Sequence, residues 1–219
     1  MLNPAPGWRA LALASPLAYA GTAVTVQAAH PRFDWLQAPL SFYLSGPAGE
    51  WLQAAYVLLA AGIGALAWAC RRLHPGSWFQ ACASALMVLG AACLVLTALY
   101  PGGSPEHAVS PAMHRLHGAV ASGAFGFTLL GMLMQGAVDW RHGLRWSLVL
   151  ASVTLLVLVI GHWPGLLPRG LGQKLAIACY LVCLAWRASR VPKPAALDDQ
   201  AIRAPATRAP AAQGHRSVS

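Results

Sequence analysis

The segment PGGSPEHAVSPAMHRLHG, residues 101–118, concentrates side chains that could do chemistry: three histidines and a glutamate. His114 and His117 are three residues apart, so on a helix they lie on one face and could bind zinc together with His162. Glu106 would then act as the general base of a metal-dependent hydrolase of lipid or isoprenoid substrates. No H-E-x-x-H or G-x-S-x-G pattern accompanies these residues.

Haem is an alternative cofactor, because His117 and His162 are the one pair of histidines that could face each other across two helices as axial ligands. In that case the protein would be an electron carrier. A third interpretation requires no cofactor and treats the same residues as the lining of a binding pocket. The sequence leaves open which of these applies, and whether the protein is an enzyme.

Further polar residues are predicted at the same end of the molecule. Lys174 lies at the beginning of an apolar helix, where the positive end of the helix dipole disfavours a cation. A lysine at this position indicates an anionic partner such as Glu50, Glu106 or a lipid phosphate. The full set of candidate ligand-binding residues is Ser41, Tyr43, Glu50, Glu106, His114, His117, His162, Gln173 and Lys174.

The elements that must position these side chains are membrane helices. Hydrophobic residues make up 57% of the 219 residues and charged residues only 10%. In soluble proteins, charged residues make up about a quarter of the chain. Six apolar stretches are long enough to cross a bilayer: Trp8–Ala29, Glu50–Cys70, Trp78–Tyr100, Pro111–Gln135, Leu144–His162 and Leu171–Ala188. The sequence therefore predicts an all-α integral membrane bundle of six transmembrane helices.

Basic residues predict the orientation of this bundle. Of the 15 lysines and arginines, four fall on one side: Arg32, Arg115, Arg169 and Lys174. The others fall on the opposite side, which by the positive-inside rule is the cytoplasm. We therefore predict a multi-pass protein of the bacterial inner membrane, with both termini cytoplasmic and the candidate site outside. The charge of +9 suits membrane lipids as partners rather than nucleic acid.

The two ends of the chain carry separate predictions. The first apolar segment resembles a signal peptide in composition, but it is long enough to span, and we favour its retention over its cleavage. After the membrane domain, residues 1–188, residues 189–219 are rich in Pro, Ala and charge and are predicted to form a disordered cytoplasmic tail.

Acidic residues are predicted to avoid the membrane interior. Asp139 and the other five acids fall in loops, helix ends or the tail, which argues against a proton-coupled transporter. The short turns that contain His74 and His142 are predicted to be simple linkers in which both histidines are solvated.

Three stretches of the chain, APLSFYLSGPAGEWLQ, LYPGGSPE with MHRLHGAVA, and LPRGLGQKLAIACYLVCLAW, resemble the DUF998 family of uncharacterised bacterial membrane proteins. The resemblance covers about residues 15 to 188. The positions that correspond to the family's patterns are Pro39, Leu40, Ser41, Tyr43, Gly46, Pro47, His114, His117, Gly172, Gln173 and Lys174, with lysine where arginine is common. The resemblance implies a six-span fold and the same outer-face residues, without implying a reaction.

The sequence therefore predicts an inner-membrane protein with a polar extracytoplasmic pocket for a small molecule, a lipid headgroup or a partner membrane protein. The metal-dependent hydrolase and the haem protein remain the alternatives.

Overall fold

The computed structural model describes residues 7–191, which form helices and connecting loops with no strand among them. Six α-helices within this range are long and apolar enough to cross a membrane, which confirms the predicted all-α membrane bundle. Their bounds are Gly7–Ala28 (α1), Gly49–Leu73 (α2), Trp78–Leu99 (α3), Pro111–Arg141 (α4), Arg145–His162 (α5) and Arg169–Arg190 (α6). A short 3-10 helix, Leu40–Leu44, lies between α1 and α2.

Each helix packs against the next one along the chain, and α1 also packs against α6, so the six helices close into a ring. One end of the ring carries the longer connections 29–48, 100–110 and 163–168, and we call it the loop end. The opposite end, called the turn end, carries the short connections 74–77 and 142–144. All nine predicted site residues belong to the half of the bundle at the loop end.

Local sequence explains where two of the helices begin. The hydroxyl of Ser110 accepts a hydrogen bond from Met113 N, and Pro111 follows as the first helical residue, so α4 begins as its sequence predicts. Ser77 caps α3 in the same way through Gln80 N. Because α4 begins at Pro111, His114 and His117 lie in its first two turns.

Small residues allow neighbouring helices to approach closely, as expected for packing inside lipid. A Cβ atom on Gly131 of α4 would lie 2.8 Å from the Ala83 carbonyl oxygen of α3. A Cβ atom on Gly172 of α6 would lie 2.7 Å from Cα of Gly161 on α5. The glycines at these crossings therefore have a steric role, whereas Gly126 on α4 has open space around it.

The predicted bounds of three helices need correction, and the second of the six continues beyond Cys70 to Leu73. The fourth helix does not end at Gln135 but continues to Arg141, which places Asp139 within the helix and buries it. The sixth helix begins at Arg169 and continues to Arg190, beyond the predicted domain limit at residue 188. Most of the predicted disordered tail, residues 192–219, lies outside the described residues.

Candidate functional site

An interior cavity of about 70 Å³ lies inside the ring, towards the loop end. Five helices and the 3-10 helix contribute to its walls, and three of the predicted site residues line it together: Ser41, His117 and Gln173. Its volume provides room for several water molecules, but it is far smaller than the 300 to 1,000 Å³ or so of a typical ligand pocket. The cavity is therefore a small interior chamber with largely apolar walls and a few polar groups, rather than a site for a whole lipid.

His117 is the buried histidine of the opening segment. Its side chain is 7% exposed, and Nδ1 lies 2.7 Å from the carbonyl oxygen of Tyr100 at the end of α3. Because a carbonyl accepts, Nδ1 is the protonated nitrogen in this contact, which leaves Nε2 as an acceptor in the neutral ring. Gly102 packs against the same ring, since a Cβ atom there would lie 2.8 Å from Cγ of His117.

Gln173 links the cavity to the loop between α1 and α2. Its Oε1 atom accepts a hydrogen bond of 2.7 Å from the backbone N–H of Leu40, the first residue of the 3-10 helix. This contact positions Ser41 beside the cavity. The first turn of α6 therefore holds the 3-10 helix over the loop end of the ring.

Hydroxyl groups that sequence reasoning did not select complete the polar lining: Tyr19, Tyr56, Thr97, Thr128 and Tyr180. The rings of Tyr19 and Tyr56 lie 5.1 Å apart, between their centroids. The hydroxyl of Tyr180 donates to the Phe125 carbonyl oxygen and so bridges α6 and α4 across the cavity. These residues lie within apolar runs, where a tyrosine or threonine gives no signal of which helix face it occupies.

Lys174 follows Gln173 directly but lines a different cavity. Its ammonium group donates to the carbonyl oxygens of Trp35 and Ala38, the latter at 3.0 Å. It lies 5.7 Å from the centroid of the Trp35 ring. Of the anionic partners that the sequence suggests, neither Glu50 nor Glu106 pairs with Lys174, because the single ion pair within residues 7–191 is elsewhere.

The cavity beside Lys174 is a groove of about 620 Å³ between α1 and α6, open along the side of the bundle. Tyr19, Ile177 and Leu181 line both this groove and the interior cavity, so they form the wall between the two spaces. The expectation that His117 and Lys174 share one cavity is therefore corrected: they lie on opposite sides of this wall.

Tyr43, another of the candidate residues, is fully buried. Its ring contacts His30 and Phe33, with centroid distances of 5.6 and 5.3 Å. Burial, and to a smaller extent the nearby Asp34 carboxylate, raise the pKa of Tyr43, so its phenol remains neutral.

The other predicted residues do not join the interior cavity. Glu50 is exposed in the first turn of α2, and Glu106 lines a separate surface pocket of about 290 Å³. His114 is exposed, with Nδ1 3.0 Å from the Gly102 carbonyl oxygen. His162 is exposed on α5, with Nδ1 2.8 Å from the Leu158 carbonyl oxygen of its own helix.

The histidines named in the two cofactor hypotheses do not come together at one site. Within residues 7–191, no three His, Cys, Asp or Glu side chains form a group that could hold a metal ion, so the set His114, His117 and His162 is not assembled. His117 lines the interior cavity, while α5, which carries His162, contributes no residue to its walls. The arrangement brings together hydrogen-bonding groups rather than a ligand set.

A second polar cluster, missed by sequence reasoning, lies inside the bundle at the turn end. The amide nitrogen of Gln80 donates to Gln135, Gln135 donates to Asp139 Oδ1 at 2.9 Å, and Asp139 Oδ2 lies 2.7 Å from Arg187 Nε. The side chains of the ion pair are 2% and 6% exposed. Asp139 is thus not a solvated helix-end acid, and Arg187 is not a free charge of the cytoplasmic surface. The spacing of Gln135 and Asp139, one helical turn apart in an apolar helix, is the signal that could have indicated this cluster.

Comparison with known proteins gives one match. A family model described as "Protein of unknown function (DUF998)" matches residues 12–190, which is most of the chain and includes every predicted site residue. No curated protein and no solved structure matches the chain.

Proposed function

Since the chain belongs to the DUF998 family, for which no function is known, we propose from its own geometry that this multi-pass membrane protein binds an anionic lipid in the groove between α1 and α6. The observation that carries the proposal is an apolar groove that opens on the lipid-facing side of the bundle and has Lys174 at its loop end. Such a shape matches an amphiphile, with acyl chains along the helices and a negative headgroup at the lysine.

The walls of the groove favour acyl chains. The small side chains of Ala20, Ala23 and Ala178 leave space between the two helices, and Ile177 and Leu181 line the bottom of the groove. The volume of about 620 Å³ lies within the range of typical ligand sites. Because van der Waals packing is the main attraction available between apolar surfaces inside a bilayer, a chain that fills this groove gains contacts that bulk lipid would not provide.

The loop end of the groove favours an anion. Two of the three ammonium hydrogens of Lys174 are directed to the carbonyl oxygens of Trp35 and Ala38, so one hydrogen remains for a ligand. The carbonyl contacts fix the position of the ammonium group without neutralising its charge. His30 and Trp35 also line this end, and their rings suit the headgroup level of a membrane.

The distribution of basic residues supports an orientation in which this site lies in the outer leaflet of a cell's inner membrane. The interior cavity, which Ser41, His117 and Gln173 line, would then lie next to the bound lipid. The wall of Tyr19, Ile177 and Leu181 would separate the two. A headgroup at Lys174 would lie beside this chamber rather than within it.

The test is native mass spectrometry of the full chain in detergent with phosphatidylglycerol, and with phosphatidylcholine of the same acyl chains. We expect preferential retention of phosphatidylglycerol by the unchanged protein and by Lys174→Arg, which keeps the charge. Lys174→Gln should abolish the preference, because a neutral amide cannot compensate the headgroup charge. The matched control is Arg169→Gln, which removes one charge from an exposed residue of the same helix end.

Lys174 also holds the connection between α1 and α2, so a second variant separates lipid binding from folding. Ala178→Leu fills part of the groove and keeps Lys174 itself, and it should reduce retention of both lipids. Ala14→Leu, at an exposed position of α1 outside the groove, should leave retention unchanged. Equal retention of the two lipids by the unchanged protein, or loss of the preference in Arg169→Gln as well as in Lys174→Gln, would contradict the proposal.

A further inference from the structure

A second cavity of about 350 Å³ lies at the turn end, between the α2–α3 turn and the end of α4. Its polar lining residues are His74, Ser77, Arg141 and His142, and none of its lining residues is acidic. Such a collection of hydrogen-bond donors without a carboxylate favours an anionic ligand.

The two histidines in the lining of this cavity are in contact with each other. Their rings are stacked, with centroids 4.5 Å apart and planes inclined by 15°, although they belong to different turns of the chain. Both residues lie at the short turns as predicted, and His142 is exposed, but His74 is half-buried and stacks on His142 rather than being a simple solvated linker residue. The carbonyl of His74 accepts a hydrogen bond of 3.0 Å from Arg71, and both histidines line the cavity.

Arg141 supplies the positive charge. Its side chain is exposed beside the cavity, and the one ion pair within residues 7–191 involves Arg187 instead. The nearest acid, Asp139, has both carboxylate oxygens engaged inside the bundle, by Gln135 and by Arg187. The guanidinium group of Arg141 is thus available for two parallel hydrogen bonds to a tetrahedral oxyanion.

The charges around His74 agree with an anion site. Burial, followed by the neighbouring His142 and by Arg187, lowers the pKa of His74, while Asp139 opposes this effect. A bound anion would favour the protonated imidazole and would therefore offset part of this lowering of the His74 pKa.

Tryptophans near the cavity favour a position at the depth of lipid phosphate groups. Exposed tryptophans surround this end of the bundle, including Trp78, Trp140 and Trp146, and tryptophan is enriched at the level of lipid headgroups. Arginine side chains cover two of the tryptophan rings there, Arg72 over Trp68 and Arg145 over Trp140.

We propose that this turn-end cavity binds a phosphate group through Arg141, His74 and His142. The phosphate belongs either to a lipid headgroup or to a free phosphate compound in solution, and the site is independent of the groove beside Lys174. The hydroxyl of Ser77, which already accepts a bond from Gln80 N, can donate its hydrogen to the same phosphate.

The experiment uses the detergent-purified full chain and two probes: inorganic phosphate, followed by ³¹P line broadening, and phosphatidic acid against phosphatidylcholine, followed by native mass spectrometry. The test variant is Arg141→Gln. Its matched control is Arg145→Gln, which removes the same charge from the same turn at a residue that covers Trp140 and does not line the cavity. His142→Gln tests the histidine pair.

We expect Arg141→Gln to weaken binding by roughly tenfold or more, as for the loss of a charge-assisted hydrogen bond, and His142→Gln to weaken it less. Arg145→Gln and Lys174→Gln should bind as the unchanged protein does. If only the binding of phosphatidic acid depends on Arg141, the phosphate belongs to a lipid headgroup. If the binding of both probes depends on Arg141, the phosphate belongs to a free phosphate compound. Failure of both probes to bind, or equal losses in Arg141→Gln and Arg145→Gln, would overturn the proposal.

Discussion

Removal of one partner from the Asp139–Arg187 pair should destabilise the protein more than any surface substitution. The two side chains are 2% and 6% exposed, so a charge left without its partner is not solvated by water. Breaking a buried pair in this way costs about 3 to 5 kcal/mol, because an uncompensated charge remains inside. We expect Asp139→Asn and Arg187→Gln each to lower the free energy of unfolding by about this amount.

The double variant provides the decisive comparison. Asp139→Asn combined with Arg187→Gln leaves no buried charge, and an asparagine at position 139 can still accept the hydrogen bond that Gln135 now donates. We therefore expect the double variant to be more stable than either single variant, since replacing a complete buried pair by neutral groups is often close to neutral.

The assay is reversible unfolding of the full chain in mixed micelles, monitored by circular dichroism, with exposed Arg145→Gln as the control. The control should lie within about 0.5 kcal/mol of the unchanged protein. Single variants that each cost less than about 1 kcal/mol, or a double variant that costs the sum of the two, would refute the reasoning, because either result means that the two groups are solvated independently of each other.

Three further outcomes follow from the structure. Gly172→Ala should cost about 1 to 3 kcal/mol in the same unfolding assay, because its Cβ would lie 2.7 Å from Cα of Gly161, whereas Gly126→Ala, in open space, should cost nothing. Burial lowers the pKa of His74, so below about pH 6.5 the unfolded chain binds a proton that the folded chain does not. The stability of the folded protein should therefore fall as the pH decreases below this value. Thermal scans at several pH values should show this fall, and His74→Gln should make the stability less dependent on pH. Metal analysis and an absorption spectrum of the purified protein should show neither stoichiometric zinc nor a Soret band; either signal, if lost in His117→Ala, would contradict the hydrogen-bonding role given to His117.

The membrane fold could be predicted from the sequence because the bilayer imposes it: a stretch of about 20 apolar residues must become a helix to satisfy its backbone hydrogen bonds. The end of α4 could not be predicted in this way. Asp139 looked like the start of a solvated loop, but Arg187 compensates its charge, and the two are 48 positions apart in the sequence. A contact of this kind becomes visible only when helices α4 and α6 are placed side by side.

The order of spans and turns in the sequence places the nine candidate residues at one end of the bundle, but it does not predict which cavity each of them enters. The chain order of spans and turns decides which residues share an end, whereas the rotation of each helix decides which cavity a side chain enters. Gln173 and Lys174 are adjacent, and successive residues of a helix point about 100° apart, so Gln173 lines the interior cavity and Lys174 the outer groove. The same reason separates His117, which is buried, from the exposed His114.

The most direct test of lipid binding is an electron cryomicroscopy structure of the full chain in nanodiscs that contain phosphatidylglycerol and phosphatidylcholine. The proposed function requires elongated density in the groove between α1 and α6, with a headgroup within hydrogen-bonding distance of Lys174 Nζ. A groove that is empty, or one whose density ends away from Lys174 and is the same in nanodiscs of phosphatidylcholine alone, would contradict it.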